Sequence, residues 1–113
     1  MKKLINRRLP KGTSDDALKT YADCWILALK QPAAQGGMTF DEMETVRPII
    51  ERIAAQNELK PDQISAEVLI EDAEWKELVS RSKKMGYTGY IEAVHDMLRE
   101  LADAESIKVG EAG

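Results

Sequence analysis

The sequence predicts an α+β fold in which a two-stranded β-ribbon lies beside a four-helix core, in the order β-α-α-β-α-α. Segments 3–8 and 64–70 have the character of strands, and four other segments repeat apolar residues with the period of a helix. The length of 113 residues suits one such domain. We expect residues 1–105 to form this compact domain. Residues 106–113 have no periodic pattern, so we expect a flexible tail there.

The first helix is predicted over 14–31, after Pro10 ends the first strand segment. Thr13 or Ser14 can cap it, and the two aspartates that follow suit the positive end of the helix dipole. One face of this helix is apolar and is expected to point to the core. It is formed by Leu18, Tyr21, Ala22, Trp25, Ala28 and Leu29.

This first helix has more apolar surface than one buried face requires. Its apolar arc from Cys24 to Ile26 covers roughly 200°, whereas an amphipathic surface helix needs little more than about 100°. Leu27 adds an apolar residue in the middle of the opposite face. Two interpretations are open: the helix is central and covered from several sides, or Leu27 belongs to a homodimer interface.

The second helix is predicted over 39–56. Thr39 and Glu42 have the spacing of a capping box, in which each side chain bonds the backbone amide of the other residue. Pro48 interrupts the helix and removes one amide, but the apolar stripe stays in phase across it. We therefore expect one kinked helix rather than two. The stripe consists of Met43, Val46, Ile50, Ile53 and Ala54.

The second strand is predicted over 64–70, where apolar and polar residues alternate. The simplest arrangement pairs it with 3–8. Such a ribbon is marginally stable alone and must lie on the helices. It also has two edges, and an open edge invites a further strand from a partner or from a second copy of the chain.

Two more helices complete the predicted fold. The third opens at Glu71 and closes at Gly86, and the fourth starts at Thr88 or Gly89. The apolar stripe of the third is Trp75, Leu78, Val79, Ser82 and Met85, and that of the fourth is Ile91, Val94, Leu98 and Leu101.

Charge is unevenly distributed along the chain. The net charge is −4, but residues 1–13 carry five cations and no acid, and the remaining hundred residues carry 11 cations and 20 acids. A basic arm on an acidic body can bind phosphates, dock on an acidic partner or fold against its own body. The candidate partner surface therefore consists of Lys2, Lys3, Arg7 and Arg8, together with Leu27.

Residue counts exclude most catalytic and metal sites. A single cysteine, Cys24, excludes an internal disulfide and a thiolate cluster, and a single histidine, His95, excludes a multi-histidine site within one chain. Cys24 lies in an apolar run, where a free cysteine usually acts as a small hydrophobe. The paired carboxylates fall at predicted helix N-termini, where capping explains them. We expect no metal, no cofactor and no enzymatic activity.

A nucleic-acid-binding regulator is the main alternative. The predicted second and fourth helices are rich in acids, which repel the phosphates that supply most non-specific DNA affinity. Binding to nucleic acid would therefore use the basic arm, with help from Arg81, Lys83 and Lys84.

Two stretches resemble small uncharacterised proteins encoded in bacteriophage and prophage genomes. They are Leu4-Ile-Asn-Arg-Arg-Leu-Pro-Lys-Gly-Thr13 and Leu69-Ile-Glu-Asp-Ala-Glu-Trp-Lys-Glu-Leu78. The resemblance contains no catalytic motif and transfers no residue role. It implies a bacterial cytoplasmic setting and a role in phage assembly or host regulation.

These observations lead to an expected function. The chain has no apolar run long enough to span a membrane, and its basic N-terminus lacks the apolar region of a signal peptide. We expect a cytoplasmic, non-enzymatic protein–protein interaction module, with the nucleic-acid-binding regulator as the alternative.

Overall fold

The computed structural model describes residues 1–9, 19–31, 36–56, 59–60, 62–85 and 91–106. The predicted α+β fold is confirmed, since four helices and two paired strands follow one another in the order β-α-α-β-α-α, and a two-residue strand comes after them. The elements are β1 (Lys2–Arg7), α1 (Tyr21–Lys30), α2 (Phe40–Ala55), β2 (Ser65–Ile70), α3 (Asp72–Lys84), α4 (Glu92–Ala102) and β3 (Glu105–Ser106).

The sheet is built around the N-terminal strand. β1 pairs antiparallel with β2 along its whole length, from Lys2 opposite Ile70 to Arg7 opposite Ser65, which confirms the predicted ribbon. β3 adds to the other side of β1 at its first two residues, so the strand order is β2-β1-β3. Two residues are too few to show an alternating pattern, and the sequence did not predict this strand. The rest of the predicted tail, 107–113, lies outside the described residues.

One face of the sheet lies on the helices. Leu4 and Asn6 of β1 and Val68 and Ile70 of β2 are buried on this face. The helices contribute the remaining buried apolar residues of the core. These are Tyr21, Ala22, Trp25, Leu29, Val46, Ile49, Ile53, Leu78, Met97 and Leu101.

Helix α1 begins at Tyr21, later than the sequence predicted. Thr20 has an extended backbone (φ −134°, ψ 166°) and forms a capping box with Asp23. Tertiary contacts fix this start. Thr20 forms an isolated antiparallel β-bridge with Arg8, and the buried side chain of Asn6 accepts a hydrogen bond from the Ala22 amide at 2.9 Å. The predicted helix over 14–31 is therefore wrong at residues 19 and 20. The caps predicted at positions 13 and 14 lie outside the described residues.

Helix α2 confirms the prediction of one helix running through Pro48. The Thr39 hydroxyl accepts a hydrogen bond from the Glu42 amide at 3.2 Å, as expected of an N-cap. The buried face differs from the predicted stripe. Val46, Ile49 and Ile53 are buried, whereas Met43 and Ala54 are exposed and Ile50 is half-buried.

Helices α3 and α4 complete the core. α3 is capped by a box between Glu71 and Glu74, as the acidic start of the predicted helix suggested. α4 starts after Ile91, whose backbone is extended (φ −127°, ψ 119°), so the predicted earlier start is wrong at this residue. The predicted start residues, Thr88 and Gly89, lie outside the described part of the chain, and so does Gly86. No described helix combines the length and the apolarity that crossing a bilayer requires.

Candidate partner-binding surfaces

Lys2 and Lys3, the two lysines of the basic arm that the structure describes, contact the body of the same chain. The Lys2 ammonium lies 4.2 Å from the centroid of the Trp75 ring, a cation–π distance. The Lys3 ammonium lies 3.8 Å from a carboxylate oxygen of Glu67 on the neighbouring strand. Both lysines are half-buried rather than extended into solvent.

The two arginines of the arm also have partners within the chain. Arg7 Nε donates to Glu100 at 3.1 Å, and Arg8 donates to the Lys60 carbonyl at 2.6 Å. Burial, followed by the charge and the hydrogen bond of Glu100, raises the pKa of the Tyr21 hydroxyl. Of the three roles considered for the arm, folding against its own body is the one that these contacts support.

The second group of cations, Arg81, Lys83 and Lys84, is divided between the core and the surface. Arg81 is 6% exposed, and its guanidinium bonds Glu77 at 2.7 Å and Glu42 at 3.3 Å. Lys83 and Lys84 are exposed at the end of α3. Arg81 therefore holds helices together and is not accessible to phosphates.

The outer side of β2 is an edge of the sheet. Gln56, at the end of α2, donates to the Leu69 carbonyl and accepts from the Leu69 amide, both at 2.9 Å. Backbone groups alternate between the two edges of a strand, so those of Ser65 and Glu67 face the same way as those of Leu69. Within the described residues, nothing on that side bonds the backbone of these two residues. The open stretch is short because Gln56 covers its end.

Leu27 is half-buried and is not among the described residues that pack against the core. Its helix contacts α2, α3 and β1. These contacts fit the central position considered for this helix. A dimer through Leu27 stays a prediction.

An apolar groove runs along α2 beside the end of α1. It has a volume of about 320 Å³. We call it the α2 groove, and it is lined by Met38, Met43, Val46 and Ile50, with Lys30, Arg47 and Glu51 at its rim. Met43 is 50% exposed, and Phe40, one turn before it, is 72% exposed. Two large apolar side chains thus meet solvent on one helix face.

The rim of the α2 groove contains two cations. Arg47 Nε donates to Glu51 at 2.9 Å, and this hydrogen bond, with the charges of Glu51 and Glu44, raises the pKa of the Arg47 guanidinium. Lys30 is exposed in the last turn of α1 and has no ion pair with a described residue.

A second concavity, of about 390 Å³, lies between β1 and the end of α4. Its polar lining mixes two cations with two acids, and part of it belongs to the arm contacts described above. It is lined by Lys3, Ile5, Arg99, Glu100, Asp103 and Ala104.

The single cysteine and the single histidine occupy different environments. Cys24 is partly buried against the core, and burial, with a smaller effect of Asp23, raises the pKa of its thiol to about 11. It is therefore protonated at neutral pH, as suits a packing residue. His95 is exposed on α4. No cluster of three or more potential metal ligands occurs in the described ranges.

Sequence reasoning missed the α2 groove. It placed Met43 and Ile50 in a core stripe and assigned no role to Phe40. One available signal was that the apolar residues of α2 occupy more than one face, since Ile49 adds to the predicted stripe.

Comparisons of the chain with protein-family models, with curated proteins and with solved structures gave no match.

Proposed function

We propose that this protein is a small, non-enzymatic interaction module that binds another protein through the α2 groove. The observation that supports this most is the exposure of Phe40 and Met43 beside an apolar groove. Adjacent exposed apolar side chains on a small domain are typical of interaction sites, because burying them against a partner is favourable.

The chemistry of the polar side chains favours binding over catalysis. The Cys24 thiol is protonated at neutral pH and packs against the core. Carboxylates at the helix starts act as caps or hold Arg81, as Asp23, Glu74 and Glu42 do. These groups already have structural roles, which supports a module whose function is recognition.

A protein partner has more support than a nucleic acid. The four described cations of the arm, at positions 2, 3, 7 and 8, contact groups of their own chain, and Arg81 is buried. Phosphate binding would have to replace these contacts. For the biological setting we propose phage assembly or host regulation in a bacterial cytoplasm, on the strength of the resemblance to phage and prophage proteins.

Co-purification from the native host tests this function. We expect the wild-type protein to retain a partner that the double variant Phe40→Glu, Met43→Glu loses. Both positions lie near the start of α2, where added carboxylates suit the helix dipole, so the variant should stay folded.

The matched control is Ile64→Glu, which removes an 82% exposed apolar side chain outside the groove. This control should keep the partner, and thermal melting should show that both variants are folded. A folded double variant that still retains the partner would refute the proposed function.

A further inference from the structure

The lining of the α2 groove has the spacing that accepts a side chain from another helix. Met43, Val46, Arg47 and Ile50 stand at positions i, i+3, i+4 and i+7 of α2. Four residues with this spacing surround a hole in knobs-into-holes packing, into which one side chain of a facing helix inserts. Ile49 and Ile53 point into the core, and Val46 is buried beneath the hole with 3% of its surface exposed, so the hole lies on the outer side of the core packing of α2.

We propose that the occupant of the α2 groove is an amphipathic helix of a different protein. It inserts a large apolar side chain between Met43, Val46 and Ile50, and it places carboxylates against Lys30 and Arg47. This inference rests on the proposed function and adds the shape and the charge of the partner.

The backbone of the groove wall favours a helical occupant over an extended one. Apart from the Glu44 carbonyl, which has no helical donor because of Pro48, backbone groups in the middle of α2 are bonded within the helix, so the wall offers mainly side chains. An extended segment binds best where backbone groups are open. A helix satisfies its own backbone hydrogen bonds and needs only side-chain contacts. The lining from Met43 to Glu51 spans about 12 Å, or roughly two turns.

The rim contains two cations and one acid, Glu51, which is paired with Arg47, and this excess of positive charge favours an acidic partner. Lys30 forms no ion pair with a described residue, and the bond from Arg47 to Glu51 uses only the Nε donor of the guanidinium. An arginine has further donors on its two terminal nitrogens. Carboxylates on either side of an inserted apolar side chain can therefore bond both cations.

The same cations disfavour a second copy of the chain as the occupant. Pairing α2 with its own copy across a two-fold axis at the hole brings Arg47 close to Arg47 of the other copy. Like charges facing each other across an interface are unfavourable, whereas a partner with carboxylates at this place is favoured.

The test uses two synthetic helical peptides of equal length. Both have leucine at positions i, i+3, i+4 and i+7, and the flanking positions are glutamate in one peptide and lysine in the other. Binding of each labelled peptide to the full chain is measured by fluorescence anisotropy at an ionic strength of about 0.15 M, where long-range attraction is screened. Since the chain has a net charge of −4, general electrostatics favours the lysine peptide.

We expect the glutamate peptide to bind about tenfold more tightly than the lysine peptide, because only local contacts at the groove can outweigh the net charge. The variant Lys30→Glu, Arg47→Glu should reverse this preference. The variant Lys76→Glu, Lys83→Glu makes the same change of charge at exposed positions of α3 and should keep it. Met43→Glu adds a carboxylate to the lining of the groove and should weaken binding of the glutamate peptide relative to the wild-type chain.

Equal binding of the two peptides, binding of neither, or a preference that the rim variant leaves unchanged would overturn the inference. If the peptides fail while the native partner is still lost in Phe40→Glu, Met43→Glu, the proposed function stands and the partner has another shape. Concentration-dependent dimerisation that Met43→Glu abolishes would identify a second copy as the occupant and would equally overturn the inference.

Discussion

Arg81 shows how a single side chain can have a role that its position in the sequence conceals. The sequence places it among the basic residues at the end of α3, where a surface cation would face the helix dipole. In the fold its guanidinium donates to Glu77 on α3, to Glu42 on α2 and to the carbonyl of Gln31 at the end of α1. A buried cation is stable only when it is paired in this way. Arg81 therefore ties three helices together.

Replacing Arg81 by alanine should lower the free energy of unfolding by about 3 kcal/mol, the low end for a broken buried pair, because both carboxylates keep some contact with water. Urea unfolding measures the change. Lys83→Ala, at an exposed position two residues further along α3, is the matched control and should change stability by less than about 0.5 kcal/mol. A loss below about 1 kcal/mol for Arg81→Ala would mean that the three-helix contact contributes little.

Cys24 gives the fold a dependence on alkaline pH. Burial raises the pKa of its thiol from an ordinary 9.0 to about 11, so the folded state holds the proton longer than the unfolded state. The corresponding stability is fully present below pH 9.0 and is lost as the pH rises towards about 11. Tyr21, whose pKa is also raised, contributes in the same direction.

The thiolate absorbance of the folded protein should therefore have its midpoint near pH 11, and that of the unfolded protein near 9.0. In Cys24→Ala, stability should fall less steeply with pH over this interval. Coincident thiolate titrations for the two states would show that Cys24 is accessible to water.

Part of the outer edge of β2 is covered by one side chain, that of Gln56 at the end of α2. Gln56 follows the last turn of α2 and bonds the backbone of Leu69 on both sides, as a further strand would. The cover reaches only the end of the strand, and Ser65 and Glu67 lie beyond it. Gln56 thus joins α2 to the sheet and limits the length of open edge on which another chain could add.

Gln56→Ala should remove about 2 kcal/mol of stability, because it breaks the two hydrogen bonds with Leu69, of roughly 1 kcal/mol each, while the exposed bond to the Arg52 carbonyl adds little. It should also speed hydrogen exchange at the Leu69 amide, which loses its acceptor. Gln56→Glu keeps the acceptor for this amide and puts a carboxylate against the Leu69 carbonyl. Its Leu69 amide should therefore stay protected even though the fold is destabilised. Unchanged exchange in Gln56→Ala would contradict the covered edge.

The elements that the sequence predicted well are those whose signals are local. The strand over 64–70 has an alternating pattern as far as Val68, and α2 has its cap at Thr39, so both appear within about one residue of the predicted bounds. The starts of α1 and α4 were misplaced. For α1 the reason is tertiary, since the end of β1 holds Thr20 extended and Asn6 bonds the first turn. No pattern within the helix itself reports such a contact.

The candidate site was harder to predict than the fold. Periodicity assigns apolar residues to a buried face, and it cannot tell which of two neighbouring faces the domain covers. Ile49 became the core residue and Ile50 the wall of the groove, although they are adjacent in sequence. The charges of the arm were recognised, but their partners Glu67 and Glu100 are distant in sequence and depend on the fold.

Across the whole molecule, the cations of the described part of the basic arm are paired with groups of the acidic body. The basic arm is the middle strand of the sheet and contacts acids and carbonyls of the acidic body. Among the described residues, the α2 groove combines the exposed apolar side chain of Met43 with two nearby cations. We propose that a protein partner binds at the α2 groove, rather than at the arm, at Leu27 or at the edge of β2.

Site-specific photo-crosslinking in the native host distinguishes binding at these four surfaces. A photoreactive residue is placed, one position at a time, at Met43, Arg8, Leu27 and Ser65, which represent the four surfaces. Thermal melting confirms that each variant is folded. We predict a discrete adduct with another protein from position 43, abolished by adding Lys30→Glu and Arg47→Glu, and no such adduct from the other three positions. Adducts from position 8, 27 or 65 with none from position 43 would contradict the account.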